Sequence, residues 1–132
     1  MTMKIPEGAL VVVANGGAAR VFSNVGDGRK LALRQEALLE GMNLDDDGPS
    51  GAMPAESSAS QLDEATFAKQ LAKGLNEGAL QNRYAHVVLV ADPQTLGRVR
   101  PLLHKETLER LVGDLAKDYT NLPLESIETA LS

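Results

Sequence analysis

The 132-residue chain has no cysteine and no tryptophan. Without thiols there is no disulfide framework, thiolate nucleophile, iron–sulfur cluster or cysteine-ligated zinc. Aromatic residues are scarce, with two phenylalanines and two tyrosines. Single-stranded nucleic acids are held by bases stacking on exposed rings, so this scarcity argues against that mode. Long apolar runs are missing as well. The opening stretch, Met1 to Gly17, has one lysine and a short apolar segment that passes straight into asparagine and glycines. A signal peptide needs a longer apolar region and a cleavage site, and a membrane span needs about 20 apolar residues. The expectation is a cytoplasmic protein with no membrane span. Positive charge is also in deficit: 18 acidic residues against 13 basic ones give a formal charge of -5. That argues against DNA as a partner, although a local basic patch can sit within an acidic whole.

What remains is the composition of one globular domain spanning 1–132, long enough to bury a real core. Its strongest signal lies between Tyr84 and Pro101. Val87 to Ala91 are all apolar, with three valines, as in a strand buried on both faces. Asp92-Pro93 follows, a side-chain cap and then a proline suited to the first helical position. A central strand thus hands over directly to a helix over Pro93 to about Arg100, with an end or kink near Pro101. In open α/β sheets ligands bind at such strand-to-helix junctions.

The amino-terminal third reads as three strands. Leu10 to Ala14 form a buried one, and Asn15-Gly16-Gly17 offers a tight turn with positive φ. Ala18 to Ser23 form the second, Gly26-Asp27-Gly28 the next turn, and about Arg29 to Ala37 the third, a charged edge. Residues 41–60 combine Asp45-Asp46-Asp47 with glycines, prolines and serines, which predicts a mobile loop. The contiguous aspartates do not have the alternate spacing of a calcium loop. Ser60 with Asp63 has the form of a capping box. From Gln61 to Leu80, Phe67, Ala68, Leu71, Ala72, Leu75 and Ala79 recur at helical spacing, predicting a long amphipathic helix. Gly74 and Gly78 weaken that helix and suggest close packing. A short helix over His104 to Arg110 is expected next. Leu111 to Ala116 fits both helical and alternating spacing and is read as a strand. A last helix runs from Pro123 to Leu131, with Asn121 as its candidate cap.

Five segments in this order resemble the bacterial family of proteins required for attachment to host cells. They are VVVANGGAARVF, DDDGPSG, FAKQLAKGLN, VVLVADPQTLGRVRPLL and KDYTNLPLESIETAL. That family is similar to the middle domain of archaeal and eukaryotic release factors and of Pelota. The resemblance implies a ribonuclease H-like α/β fold: a mixed five-stranded sheet, antiparallel strands first and parallel ones after, with helices on both faces. The release-factor domain hydrolyses peptidyl-tRNA through a Gly-Gly-Gln loop before its long helix. Here that loop reads Gly48-Pro49-Ser50-Gly51, and Gly16-Gly17 is followed by Ala18. The resemblance therefore carries no termination chemistry.

Other chemistry is equally sparse. A ribonuclease H-type nuclease needs carboxylates converging on two metals, yet the first strand carries no acid and ends in Asn15, leaving Asp92 alone at the expected edge. Asp92 has a capping task in any case. His86 and His104 show no triad spacing. Asn15-Gly16-Gly17 is read as a turn rather than a phosphate cradle, since no helix opens behind it. Paired surface charges are the default for the basic residues of the carboxyl third, but Arg98 and Arg100 could join Arg20 near the sheet's carboxyl edge. The sequence-level reading is a binding domain without catalysis, metal or cofactor. Its partner is expected to be the ribosome, tRNA or another RNA, by analogy with release factors. Asn15, Arg20, Asp92, Arg98, Arg100 and Lys117 are its candidate contacts. Two alternatives remain open: a protein-interaction module in cell attachment, and a hydrolase using Asp92.

Overall fold

The computed structural model describes residues 4–27, 29–40 and 59–132, with the side chains of 40 and 59–63 excepted. The predicted loop of 41–60 lies outside that description up to residue 58, and so do the aspartate triplet and Gly48-Pro49-Ser50-Gly51.

Five strands form one sheet: β1 (Leu10–Ala14), β2 (Ala18–Asn24), β3 (Leu33–Glu40), β4 (Val87–Ala91) and β5 (Leu111–Ala116). Their spatial order is β3-β2-β1-β4-β5. β1 pairs antiparallel with β2, and β2 with β3; β1 pairs parallel with β4, and β4 with β5. This is the ribonuclease H-like layout that the resemblance implies. The two all-apolar strands sit side by side in the centre, Val12 opposite Leu89. Both have their side chains buried on either face, which is why their sequences show no alternation.

The helices are α1 (Ala59–Leu80), α2 (Pro93–Val99), α3 (Lys105–Arg110) and α4 (Leu124–Leu131), with a 3-10 turn over Arg100–Leu102. α1, α2 and α3 cover one face of the sheet. There Phe67, Leu71, Leu75 and Leu96 pack on Val12, Val87 and Leu89. α4 covers the other face, where Ile127 and Leu131 pack on Val11, Val13, Val88 and Val90. The predicted apolar stripe of α1 is buried throughout. Gly78 is a close approach, since a Cβ there would lie 2.9 Å from the Tyr84 ring, whereas Gly74 has open space beside it.

Several expected boundaries move, each for a local reason. β3 begins at Leu33 and runs to Glu40 rather than spanning 29–37. The side chains of Asn24 and Asp27 explain the late start. Asn24 Oδ1 accepts from the Gly26 and Ala32 N–H groups, and Asp27 Oδ1 accepts from those of Arg29 and Lys30. These bonds consume donors that a ladder would use. α1 already includes Ala59 and Ser60, so Ser60 lies within the helix and not at its cap. α4 begins after Pro123 with no side-chain cap, and exposed Asn121 does not fill that role. The 111–116 segment is a strand, and the chain does turn at Pro101 through the 3-10 turn.

Candidate functional site at the carboxyl ends of β1 and β4

β1 and β4 are parallel neighbours, so their carboxyl ends open at the same edge of the sheet. Asn15, Gly16, Gly17, Glu64, Asp92 and Asp118 line a cleft there. Four separate pieces of chain meet at it: the β1–β2 turn, the first part of α1, the β4–α2 junction and the segment after β5.

The β1–β2 turn does not use positive φ, contrary to the expectation; among the described residues only Gly8 and Asn82 have it. The Asn15 side chain shapes the turn instead. Its Oδ1 accepts from the Gly17 N–H at 2.8 Å and the Ala18 N–H at 2.9 Å, an Asx turn. Gly16 lies close to the Glu64 side chain across the cleft: a Cβ there would lie 2.8 Å from its Cγ and Cδ, so a larger residue would push that side chain aside. Asn15 Nδ2 donates to Thr120 Oγ1 at 3.0 Å, and that hydroxyl donates to Asp118 Oδ1. One chain of hydrogen bonds thus ties the β1–β2 turn to the segment after β5.

Asp92 performs the capping expected of it, its Oδ2 accepting from the Thr95 N–H at 3.1 Å. Its Oδ1 is buried and has no hydrogen-bond partner among the described residues. Glu64 reaches in from α1 and accepts from Arg98 at 3.0 Å. Three carboxylates therefore face one cleft, against a single carboxylate expected from the sequence. Each has a local structural task, and among the described residues no group of three acids or histidines is arranged to hold a metal ion.

Two of the remaining candidates, Arg20 and Arg100, have partners of their own. Arg20 donates to the Thr120 carbonyl at 3.2 Å and the Leu122 carbonyl at 2.6 Å, and its guanidinium lies 5.0 Å from the centre of the Phe22 ring. Arg100 pairs with Asp114 at 3.4 Å. The structure thus brings Asn15, Asp92 and, through Glu64, Arg98 together at the cleft. Arg20 and Arg100 are engaged with other elements. Lys117 is exposed at the end of β5, and His86 and His104 are also exposed. Glu64 and Asp118 were invisible as site residues because each lies far along the chain from the strand ends they join. A faint signal existed for Asp118, the Asp-x-Thr spacing of a side-chain turn.

No helix among the described residues is long and apolar enough to cross a membrane. No curated protein matches the chain. Among solved structures, the type II variant of the Aquifex aeolicus Ppx/GppA phosphatase aligns with a TM-score of 0.39 and 15% identity. The alignment covers 81% of this chain and 34% of the phosphatase, so the chain spans about a third of that protein's length. At that level the likeness says nothing about activity. The family match is of another order, since it runs from residue 8 to residue 131 and takes in every strand of the sheet. The chain belongs to bacterial archaeo-eukaryotic release factor family 12.

Proposed function

We propose that this domain is a binding module linked to translation, one that docks on the ribosome or on RNA and makes or breaks no bond itself. The family membership over residues 8–131 carries the reading. The geometry of the cleft supports it. Apart from Asp92 Oδ1, the polar groups a hydrolase would aim at a substrate are spent here on a helix cap, an Asx turn and an ion pair. Co-sedimentation of the full chain with ribosomes across a salt series tests it. Pelleting with ribosomes at low salt, released as salt rises, is the expected result. A chain that stays in the supernatant at every salt concentration overturns the reading.

One observation favours a second reading, hydrolysis with Asp92 as base: the buried Oδ1 that has no partner among the described residues. Turnover of a phosphoester or of peptidyl-tRNA, abolished in Asp92→Asn, would establish it. Equal rates for wild type and variant would remove it.

A further inference from the structure

Of the basic residues singled out in the sequence for contact with RNA, the three arginines already have partners within the fold, while Lys117 is exposed at the end of β5. Arg98 and Arg110 are held in ion pairs at 3.0 and 3.2 Å, Arg100 lies 3.4 Å from Asp114, and Arg20 clasps two carbonyls. Among the described cations that have no ion pair, Lys69, Lys73 and Lys105 lie on helices α1 and α3.

Lys69 and Lys73 are both exposed on α1. Four residues apart, they stand about 6 Å apart along the helix axis, on the same side. Lys105 opens α3 and is also exposed. Asn76, three residues beyond Lys73, holds α3 against α1 here. Its Oδ1 accepts from the His104 N–H at 2.8 Å and from the Thr107 hydroxyl at 2.7 Å. Three lysines are thus carried on two helices locked to each other. Neither Lys69 nor Lys73 has an acid within ion-pair distance among the described residues, and Glu106 on α3 is paired with Arg110. Glu77, one turn beyond Lys73, ends the row.

We propose that this face of α1 and α3, with Lys69, Lys73 and Lys105, docks the phosphate backbone of a base-paired RNA. The proposal rests on the translation-linked reading above and names the class of ligand and the surface that meets it. Charge complementarity selects a polyanion, and the spacing along a rigid helix suits successive phosphates better than the irregular carboxylates of an acidic protein. Duplex is favoured over single strand by the aromatic residues. Phe22, Phe67 and Tyr84 are buried and Tyr119 is half-buried, so no phenylalanine or tyrosine ring stands out for bases to stack on. Contact through phosphates alone is insensitive to sequence and steeply salt-dependent.

Fluorescence anisotropy with a labelled RNA hairpin, read over a salt series beside ribosome co-sedimentation, tests the assignment. Replacing Lys69, Lys73 and Lys105 together by glutamine should lower the slope of log affinity against log salt by about 3, roughly one per lysine. Glu77→Lys, which extends the row by a turn, should raise the slope by about 1. All four side chains are exposed, so thermal melts should confirm that the variants stay folded. If wild type binds ribosomes and the triple variant binds them with the same slope, this surface is wrong while the translation reading stands. If wild type binds neither hairpin nor ribosome at any salt, both fall. If polyglutamate of matched charge competes as well as the hairpin, the phosphate assignment is replaced by an acidic protein partner.

Discussion

The two faces of the sheet are covered by different means. On one, three helices and a 3-10 turn bury a long row of apolar side chains: six from α1, two from α2 and Leu103 beyond them. On the other, α4 has only eight residues and contributes two fully buried side chains, Ile127 and Leu131. Polar tethers make up the difference there. Arg20 reaches from β2 to the carbonyls of Thr120 and Leu122, just ahead of α4, and Glu128 accepts from the Leu33 N–H at 2.7 Å. Where apolar contact is broad, burial alone locates a helix. A short helix with two anchors needs directional bonds to fix where it lies.

Substitutions can break this comparison. The largest effect is expected from Phe67→Ala, which empties the centre of the α1 face and should cost about 3–5 kcal/mol in denaturant unfolding. Ile127→Val, trimming one methylene on the α4 face, should cost about 0.5–1.5 kcal/mol. If Ile127→Val matched Phe67→Ala, the α4 face would not be the lighter of the two.

The α1 face has one polar centre of its own, and it supplies the next test. Asn76 is 5% exposed and bonds three partners: the Leu102 carbonyl, the His104 N–H and the Thr107 hydroxyl. Asn76→Leu keeps the bulk but strands those groups under α1. The expected loss is about 2–3 kcal/mol, with faster amide exchange at His104. Arg20→Lys sharpens the contrast from the other side. Lysine keeps the charge but lacks the planar fork that spans two carbonyls and lies over Phe22. A loss of about 1–2 kcal/mol, with new mobility confined to 119–124, is expected. Full retention of stability would mean that α4 is held by its apolar anchors alone.

The same contrast explains what the sequence disclosed. β1, β4 and α1 were legible because burial on two faces, or on one stripe, leaves a periodic trace in the residues themselves. α4 was legible as a helix through Leu124, Ile127 and Leu131, but nothing local announces the Arg20 clasp, whose partners lie about 100 residues away. The cleft shows the same limit. Asp92 was readable from Asp-Pro after a strand, while Glu64 enters only because α1 crosses the β1–β2 turn and Gly16 makes room for it. Each of the three arginines offered as a basic cluster is held by a partner of its own, for a related reason. Sequence registers their charge, but the acids and carbonyls that capture them are brought in by the fold.

Tyr84 gives a small effect and a pH dependence confined to the α1 face. Its hydroxyl donates to the Leu75 carbonyl at 2.7 Å beneath α1. Burial raises its pKa above the ordinary 10.0, more than hydrogen bonding to Thr107 and the Arg110 charge lower it. Below pH 10 the phenol is neutral in the folded and unfolded chains alike, so its contribution is fully present. As pH rises past 10 the unfolded chain ionises first, which favours unfolding, and the contribution fades until the folded phenol ionises in turn. Tyr84→Phe should therefore cost about 1 kcal/mol at neutral pH, for one lost hydrogen bond. Its disadvantage relative to wild type should shrink above pH 10, because phenylalanine has no proton to lose. Urea midpoints of both proteins at neutral and alkaline pH measure this directly. A gap that stayed constant across that range would mean that Tyr84 is not held neutral by its place under the long helix.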